Sequence, residues 1–297
     1  IFLWDEWAKR TLDLPLVIGH EFCGIIEEVG PGVSHYKPGQ IVSGEGHITC
    51  GICRNCRAGK RHVCDKTIGI GIQKSGAFAE YLVMPESNIW PIHDSIPSEI
   101  AAFFDPFGNA IHSTLIHDIV GEDVLITGAG PIGIMSVAIC NFVGARNIVI
   151  TDINDYRLKL AESMGATKAI NITKNSIKEC YPELNIKNGF DIGLEMSGNS
   201  NAFNTMLNHM YHGGGVSLLG LLPESTQINW DNIIFKGLNI KGIYGREMYE
   251  TWYKMTQMIR SGLDISKVLT HKLSIDDYEE AFSIMESGSC GKIVLEW

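Results

Sequence analysis

The sequence predicts an α/β protein in which an irregular β-barrel-like unit precedes a doubly wound parallel sheet. Three observations carry this expectation. Residues 14–100 are rich in Gly and Pro and hold only short apolar runs, the texture of short strands joined by tight turns. From about residue 106 short β-rich runs alternate with helical stretches, which is the pattern of βαβ units and a parallel sheet. A glycine-rich turn, Gly128-Ala129-Gly130-Pro131-Ile132-Gly133, follows the first of those runs and opens a helical stretch.

The 297 residues suffice for about two domains and a sizeable core. Apolar residues make up 45% and charged residues 20%, which excludes collagen, a disordered tail and a coiled coil. With 24 Lys and Arg against 34 Asp and Glu the net charge is −10. No basic block is present, so a nucleic-acid footprint is not expected. The longest uncharged stretch, Val124–Ala145, is broken near its start by the glycine turn and is not expected to span a membrane. The chain opens at Ile1 and its first methionine is Met84, so a fragment or processed form is expected. The opening IFLWDEWAKR has no signal-peptide pattern, which points to the cytoplasm.

In the first unit the strand candidates are PLVIGHEFCGIIEEVG, GQIVSGEG, FAEYLVM and NIWPI. In the second they are VLITG, NIVIT, KAIN, DIGLEM, GVSLLG and NIKGIYG. Between these lie IMSVAICNFVG, DYRLKLAESMG and NAFNTMLNHMYHG as helices. After Tyr244 come a helix in ETWYKMTQMIRSG, the stretch IDDYEEAFSIMESG and a final strand, KIVLEW. The expected division is residues 1–105 for the first unit, 106–244 for the parallel sheet, and 245–297 for a connecting helix and a return to the first unit. A hinge is expected near residues 103–115.

Four of the eight cysteines, Cys50, Cys53, Cys56 and Cys64, form a C-x2-C-x2-C-x7-C window. Cysteines three apart on a loop can turn their sulfurs to one point, and four thiolates at about 2.3 Å suit a closed tetrahedral zinc site. The cationic residues between them offset the charge of such a site. A four-iron cluster is the chemical rival, and disulfides are the alternative that a cytoplasmic chain disfavours. A closed four-thiolate site holds a loop in place and does no chemistry.

In the glycine turn, Gly128 makes the bend, Gly130 lets the backbone approach a pyrophosphate and Gly133 packs helix on strand. The phosphates then sit at a helix N-terminus. Asp152 ends the next apolar run; its carboxylate suits ribose hydroxyls and repels a 2′-phosphate, which favours NAD over NADP. Its alternative role is a helix N-cap. Arg157 is expected at the adenine or ribose, with a 2′-phosphate contact or a solvated helix face as alternatives.

Gly19-His20-Glu21, followed by Gly24, Gly30 and Val33, places an imidazole beside a carboxylate where glycines permit turns. Both are standard ligands of catalytic zinc. A surface pair is the alternative. Asp105, set among Phe104, Pro106 and Phe107, is costly to bury unless it meets an ion or donors, or caps a helix.

Taken in order, GHE-x2-G-x5-G-x2-V, the four-cysteine loop and GAGPIG resemble the zinc-containing medium-chain dehydrogenases. WDEW at 4–7, VSGEGHITCGICRNC at 42–56, FDPFGNA at 104–110, GAGPIGIM at 128–135, GLEMSG at 193–198 and KGIYGREMYETWYKM at 241–255 carry the likeness along nearly the whole chain. The likeness is strongest to the branch that oxidises the side-chain hydroxyl of L-threonine to 2-amino-3-oxobutanoate. The resemblance implies a GroES-like catalytic domain, N-terminally truncated, joined to a Rossmann domain in a homotetramer. It implies a catalytic zinc on His20 and Glu21, with Asp105 as a nearby relay or alternative ligand, and a structural zinc on the four cysteines. It sets NAD against Ile132, Asp152, Arg157, the Leu219-Gly220-Leu221 turn and Ile243-Tyr244, beside Gly128, Gly130 and Gly133. Family members carry a further segment before WDEW, with the first zinc ligand and a proton relay. Weak metal binding at His20 is therefore expected here. Arg246 and Glu247 are candidates for the substrate's carboxylate and ammonium, with a surface pair as the alternative. The alternatives are another zinc-dependent polyol or alcohol dehydrogenase, or a fragment that binds NAD and zinc without turnover.

Overall fold

A computed structural model describes residues 13–297, so WDEW at 4–7 lies outside the described residues. Six parallel strands form the larger sheet: β6 (Asp123–Thr127), β7 (Asn147–Asp152), β8 (Lys168–Asn171), β9 (Phe190–Glu195), β10 (Met210–Leu218) and β11 (Asn239–Gly242). Their spatial order is β11-β10-β9-β6-β7-β8, the doubly wound order in which the chain reverses direction between β6 and β9. Every residue of β6 is buried, as a central parallel strand with both faces covered demands. Val124 and Ile126 face one core and Leu125 the other, the period of two made visible.

The six β-rich runs of the sequence coincide with these strands. One expected helix is shorter than its apolar pattern. Helix Ser200–His209 stops before Met210, and Met210–Leu218 is strand. Gly213, Gly214 and Gly215 follow at once, and glycines do not sustain a helix.

The region expected as a hinge is a helix, α1 (Phe104–Leu115), in which all but Asn109 and Leu115 are buried. Phe104, Phe107, Ala110 and Ile111 give it an apolar stripe. That stripe packs on α2 (Pro131–Val143), which starts at Gly130 with proline in its first turn and ends on left-handed Gly144. α3 (Asp155–Ser163) is capped by Asn154, whose side chain accepts from the N–H groups of Tyr156 and Arg157.

The first unit holds less ladder than its apolar runs suggest. β1 (Gly24–Ile25), β2 (Ile41–Gly44) and β5 (Ile89–Pro91) pair antiparallel, and β3 (His47–Ile48) pairs β4 (Ile68–Gly69). FAEYLVM finds no ladder partner among the described residues, and Tyr81 and Val83 are exposed. The chain returns through α4 (Glu250–Arg260) to a parallel pair, β12 (Leu269–Ser274) with β13 (Lys292–Glu296). The returning segment packs back through Trp252 of α4, which is fully buried against Phe104 and Trp90.

Candidate functional site

His20 follows a backbone cluster that only glycine allows. A Cβ at Gly76 would lie 2.1 Å, and one at Gly71 2.4 Å, from the Gly19 carbonyl oxygen. Gly19 itself has φ +91°, in the region glycine alone enters freely. The N–H groups of Gly76, Phe78 and Ala77 donate to the carbonyls of Val17, Ile18 and Gly19. His20 leaves this knot toward α1, where its Nε2 lies 3.9 Å from Asp105 Oδ1. Gly46 backs the pair: a Cβ there would stand 3.3 Å from His20 Cβ. His20, Glu21 and Asp105 each offer a ligand atom within 4.8 Å of the others.

The protein already engages both carboxylates. Lys292 of β13 hydrogen-bonds Glu21. Desolvation would push the Glu21 carboxyl up, but Lys292, His20 and Arg246 outweigh it and hold the carboxyl below its ordinary range. Asp105 is buried, and Arg246 Nη1 lies 2.7 Å from its Oδ2. That Oδ2 makes no aligned hydrogen bond among the described residues, so Arg246 pairs with it by charge, while Oδ1 faces His20. A helix-capping role for Asp105 does not arise, because it lies inside the first turn and the cap position is Phe103.

Arg246 is not a free surface residue. Its Nε donates to Glu45 Oε2 at 3.0 Å, its Nη2 to Glu45 Oε1, and its Nη1 to Asn109. Trp252 Nε1 adds a 2.9 Å bond to Glu45. Burial would push the Glu45 carboxyl up, yet Arg246 and His47 hold it far below the usual carboxylate range. Arg246 is spent on protein carboxylates, which leaves it unable to serve a substrate carboxylate. Glu45 was not singled out from sequence. Its signal is a lone acid between Gly44 and Gly46 at the end of an apolar strand.

The four cysteines converge. Cys50 and Cys64 sulfurs are 3.6 Å apart, and Cys53 and Cys64 are 3.9 Å apart. A tetrahedron with metal–sulfur bonds of about 2.3 Å has edges of about 3.8 Å. Disulfides require about 2.05 Å, so that alternative does not fit. The sulfurs accept backbone N–H groups, Cys64 from Cys50 and Lys66 and Cys53 from Cys56, at 3.4 Å each. Desolvation opposes ionisation of Cys64, but these donors bring its thiol down to about 6. Burial and the neighbouring sulfurs push the Cys56 thiol up to about 12, and all four sulfurs lie within 4.8 Å of one another, which fits a closed zinc site.

The glycine turn has three different surroundings. A Cβ at Gly133 would meet Gly128 oxygen at 2.0 Å, and Gly128 has φ +93° against the Ser197 backbone. A Cβ at Gly130 meets nothing within 4 Å. The middle glycine therefore faces open space at the start of α2, where a phosphate can approach. Asp152 stands at the mouth of this turn: its Oδ2 accepts the Ala129 N–H at 2.6 Å and its Oδ1 those of Ile153 and Asn154. The helix-cap alternative for Asp152 is taken by Asn154. Arg157 turns its guanidinium toward Gly288 and the Cys290 thiol. Glu195, also missed from sequence, is fully buried and binds the N–H groups of Ser197 and Gly198, fixing the loop that walls Gly128. Its backbone carbonyl accepts from Leu219 and Gly220. Ile243 is buried, and exposed Tyr244 stacks on His47 with ring centroids 5.4 Å apart. His20, Glu21 and Leu221 line one cleft of about 1920 Å³.

A cleft holding an imidazole–carboxylate cluster, beside a parallel sheet with a phosphate turn and a four-thiolate loop, is the architecture of a zinc-dependent nicotinamide dehydrogenase. The comparisons agree. Residues 131–261 match the family described as zinc-binding dehydrogenase and residues 3–94 match the alcohol dehydrogenase GroES-like domain. The chain belongs to the zinc-binding dehydrogenase family. It is 60% identical, over 100% of its length and 87% of the relative's, to L-threonine 3-dehydrogenase of Xanthomonas axonopodis pv. citri. An alcohol dehydrogenase of Escherichia coli complexed with NADH superposes with a TM-score of 0.88 at 27% identity, over 96% of this chain and 85% of that one. A zinc-binding dehydrogenase of Sinorhizobium meliloti bound to NADP gives a TM-score of 0.85 at 27% identity, over 92% of this chain and 81% of that one.

Proposed function

We propose that this dehydrogenase oxidises the side-chain hydroxyl of L-threonine to 2-amino-3-oxobutanoate, with NAD as the hydride acceptor. The observation that carries the reading is the 60% identity, along the whole chain, to relatives named for that reaction. The cleft lined by His20, Glu21 and Leu221 supports it, because it brings the imidazole–carboxylate pair into one space with a residue of the expected cofactor surface.

In this reading His20 and Glu21, with Asp105 as relay or further ligand, hold the catalytic zinc, and Cys50, Cys53, Cys56 and Cys64 hold a structural one. Zinc supplies positive charge for a developing alkoxide, and the nicotinamide supplies the electron sink. The chain's own part is positional. The glycine knot at Gly19, Gly71 and Gly76 aims His20, and Arg246 offsets the charge of Asp105 and Glu45. Gly128, Gly130 and Gly133 seat the pyrophosphate, and Asp152 meets the ribose and disfavours a 2′-phosphate. Ile132, Arg157, Leu219, Gly220, Leu221, Ile243 and Tyr244 complete the cofactor surface.

The proposed division is a catalytic unit at residues 1–105, a cofactor unit at 106–244, and a connecting helix with a return to the catalytic unit over 245–297. We also propose a homotetramer in the cytoplasm. Trp230, Ile234 and Phe235 form an exposed apolar patch on helix Trp230–Lys236, the kind of surface that self-association covers. No helix among the described residues is long and apolar enough to cross a membrane. The deciding experiment follows NADH absorbance with L-threonine and with a neutral diol. Turnover of L-threonine is expected, and turnover of the diol alone would establish a polyol or alcohol dehydrogenase instead.

A further inference from the structure

We propose that His62, His112 and Glu247 form a third metal site, open on one side, for a borderline divalent ion such as Zn2+. The three residues come from separate segments: the loop between Cys56 and Cys64, the last turn of α1, and the stretch after β11. Each offers a ligand atom within 4.8 Å of the other two. The His62 and His112 rings meet edge to face, centroids 5.5 Å apart and planes at 82°.

The hydrogen bonding of His112 fixes which nitrogen is available. Its Nδ1 lies 2.8 Å from the Gly245 carbonyl oxygen. A carbonyl only accepts, so Nδ1 carries the proton and Nε2 keeps its lone pair. That is the arrangement in which a backbone acceptor orients a metal-binding imidazole. Nε2 points to Glu247, 3.9 Å from Oε1. His62 supplies a second, independent sign. Its Nδ1 is buried and finds no hydrogen-bond partner among the described residues, and buried ring nitrogens are normally paired.

Two imidazoles and one carboxylate match the donor set of open zinc sites. Hard cations such as Mg2+ and Ca2+ prefer all-oxygen cages. Ligand atoms around zinc stand about 3.3 Å apart at bond lengths of about 2.0 Å, so Glu247 must close on His112 by about half an ångström. Its side chain is 40% exposed and free to do so. An ion here ties the four-cysteine loop to α1 and to the segment that carries Arg246. It does not depend on the substrate reading above.

The test is calorimetric titration of ZnCl2 into the full chain as purified, repeated with His62→Gln and with Glu247→Gln. A second series in a His20→Ala background separates this site from the His20 cluster. Wild type and His20→Ala are expected to take up one more equivalent than either variant pair, or to bind it at least tenfold more tightly. Identical stoichiometry and affinity in wild type and Glu247→Gln overturns the proposal. Glu247 is half-exposed, so its variant folds even where a His62 change does not, and it decides the matter.

Discussion

Arg246 and Glu45 stand 201 positions apart in the chain and form a buried ion pair whose guanidinium also neutralises Asp105. The pair joins the strand before the four-cysteine loop to the segment after the large sheet. Removing one partner leaves the other charged and desolvated.

Arg246→Met is therefore expected to destabilise the protein by about 3 to 5 kcal/mol, the cost of breaking a buried pair on one side. Glu45→Gln tests the same pair by pH. Burial would push the Glu45 carboxyl up, but Arg246 and His47 hold it well below its ordinary 4.5. Its stabilisation is complete above that value and is lost as pH falls toward the lowered folded value. The stability gap between wild type and Glu45→Gln, read from urea melts, is expected to be constant above pH 5 and to shrink below about pH 4.5. A gap that grows on acidification contradicts the pairing.

Gly130→Ala and Gly133→Ala are expected to part company. The first meets nothing within 4 Å, so melting should change by less than about 1 kcal/mol, while NADH affinity falls at least about tenfold as the methyl occupies the phosphate approach. The second drives a methyl to 2.0 Å from the Gly128 oxygen, so both stability and cofactor binding should fall. Thermal melts and NADH fluorescence titrations separate the two.

Asp152 is expected to favour NAD over NADP by at least about tenfold, roughly 1.4 kcal/mol. Asp152→Ser should narrow that gap, seen by titrating both cofactors. The same change also replaces the carboxylate that accepts the Ala129 N–H by a shorter, uncharged hydroxyl, so some NAD affinity should be lost with it.

Cys53→Ser, or stripping with a chelator, is expected to remove one zinc per chain and to open residues 50–67 to hydrogen exchange. The stability loss should be on the order of 3 kcal/mol. That is short of the ~10 kcal/mol or more that structural zinc contributes where all folding depends on it, because the core of β6, β7 and β9 is built independently. Unchanged exchange in that loop after metal loss contradicts a structural role.

The large sheet was readable because its central strands are apolar on both faces and its glycine turn declares a phosphate site. The cysteine window was readable because its ligands are local. Most of the first unit was not. Its strands are two to four residues long, and its shape depends on Gly19, Gly71 and Gly76 pressing backbone on backbone, which leaves no periodic pattern. Glu45 and Arg246 escaped for another reason: neither is unusual where it stands, and only the fold brings them together. The span 103–115 was marked as a hinge by a change of texture alone; that Phe104, Phe107 and Ile111 form the apolar stripe of a buried helix was not read from it.

Asp105 and His112 sit seven residues apart on that helix, two turns and about 10 Å along one stripe. They are two marks on a single ruler. Because the helix is enclosed along its length, it can tilt or slide only as a unit. A cation at the proposed site on His112 would bear on the same buried helix that carries the carboxylate beside His20. The interval between the two ends is set by backbone geometry, and no rotation of a side chain can retune it.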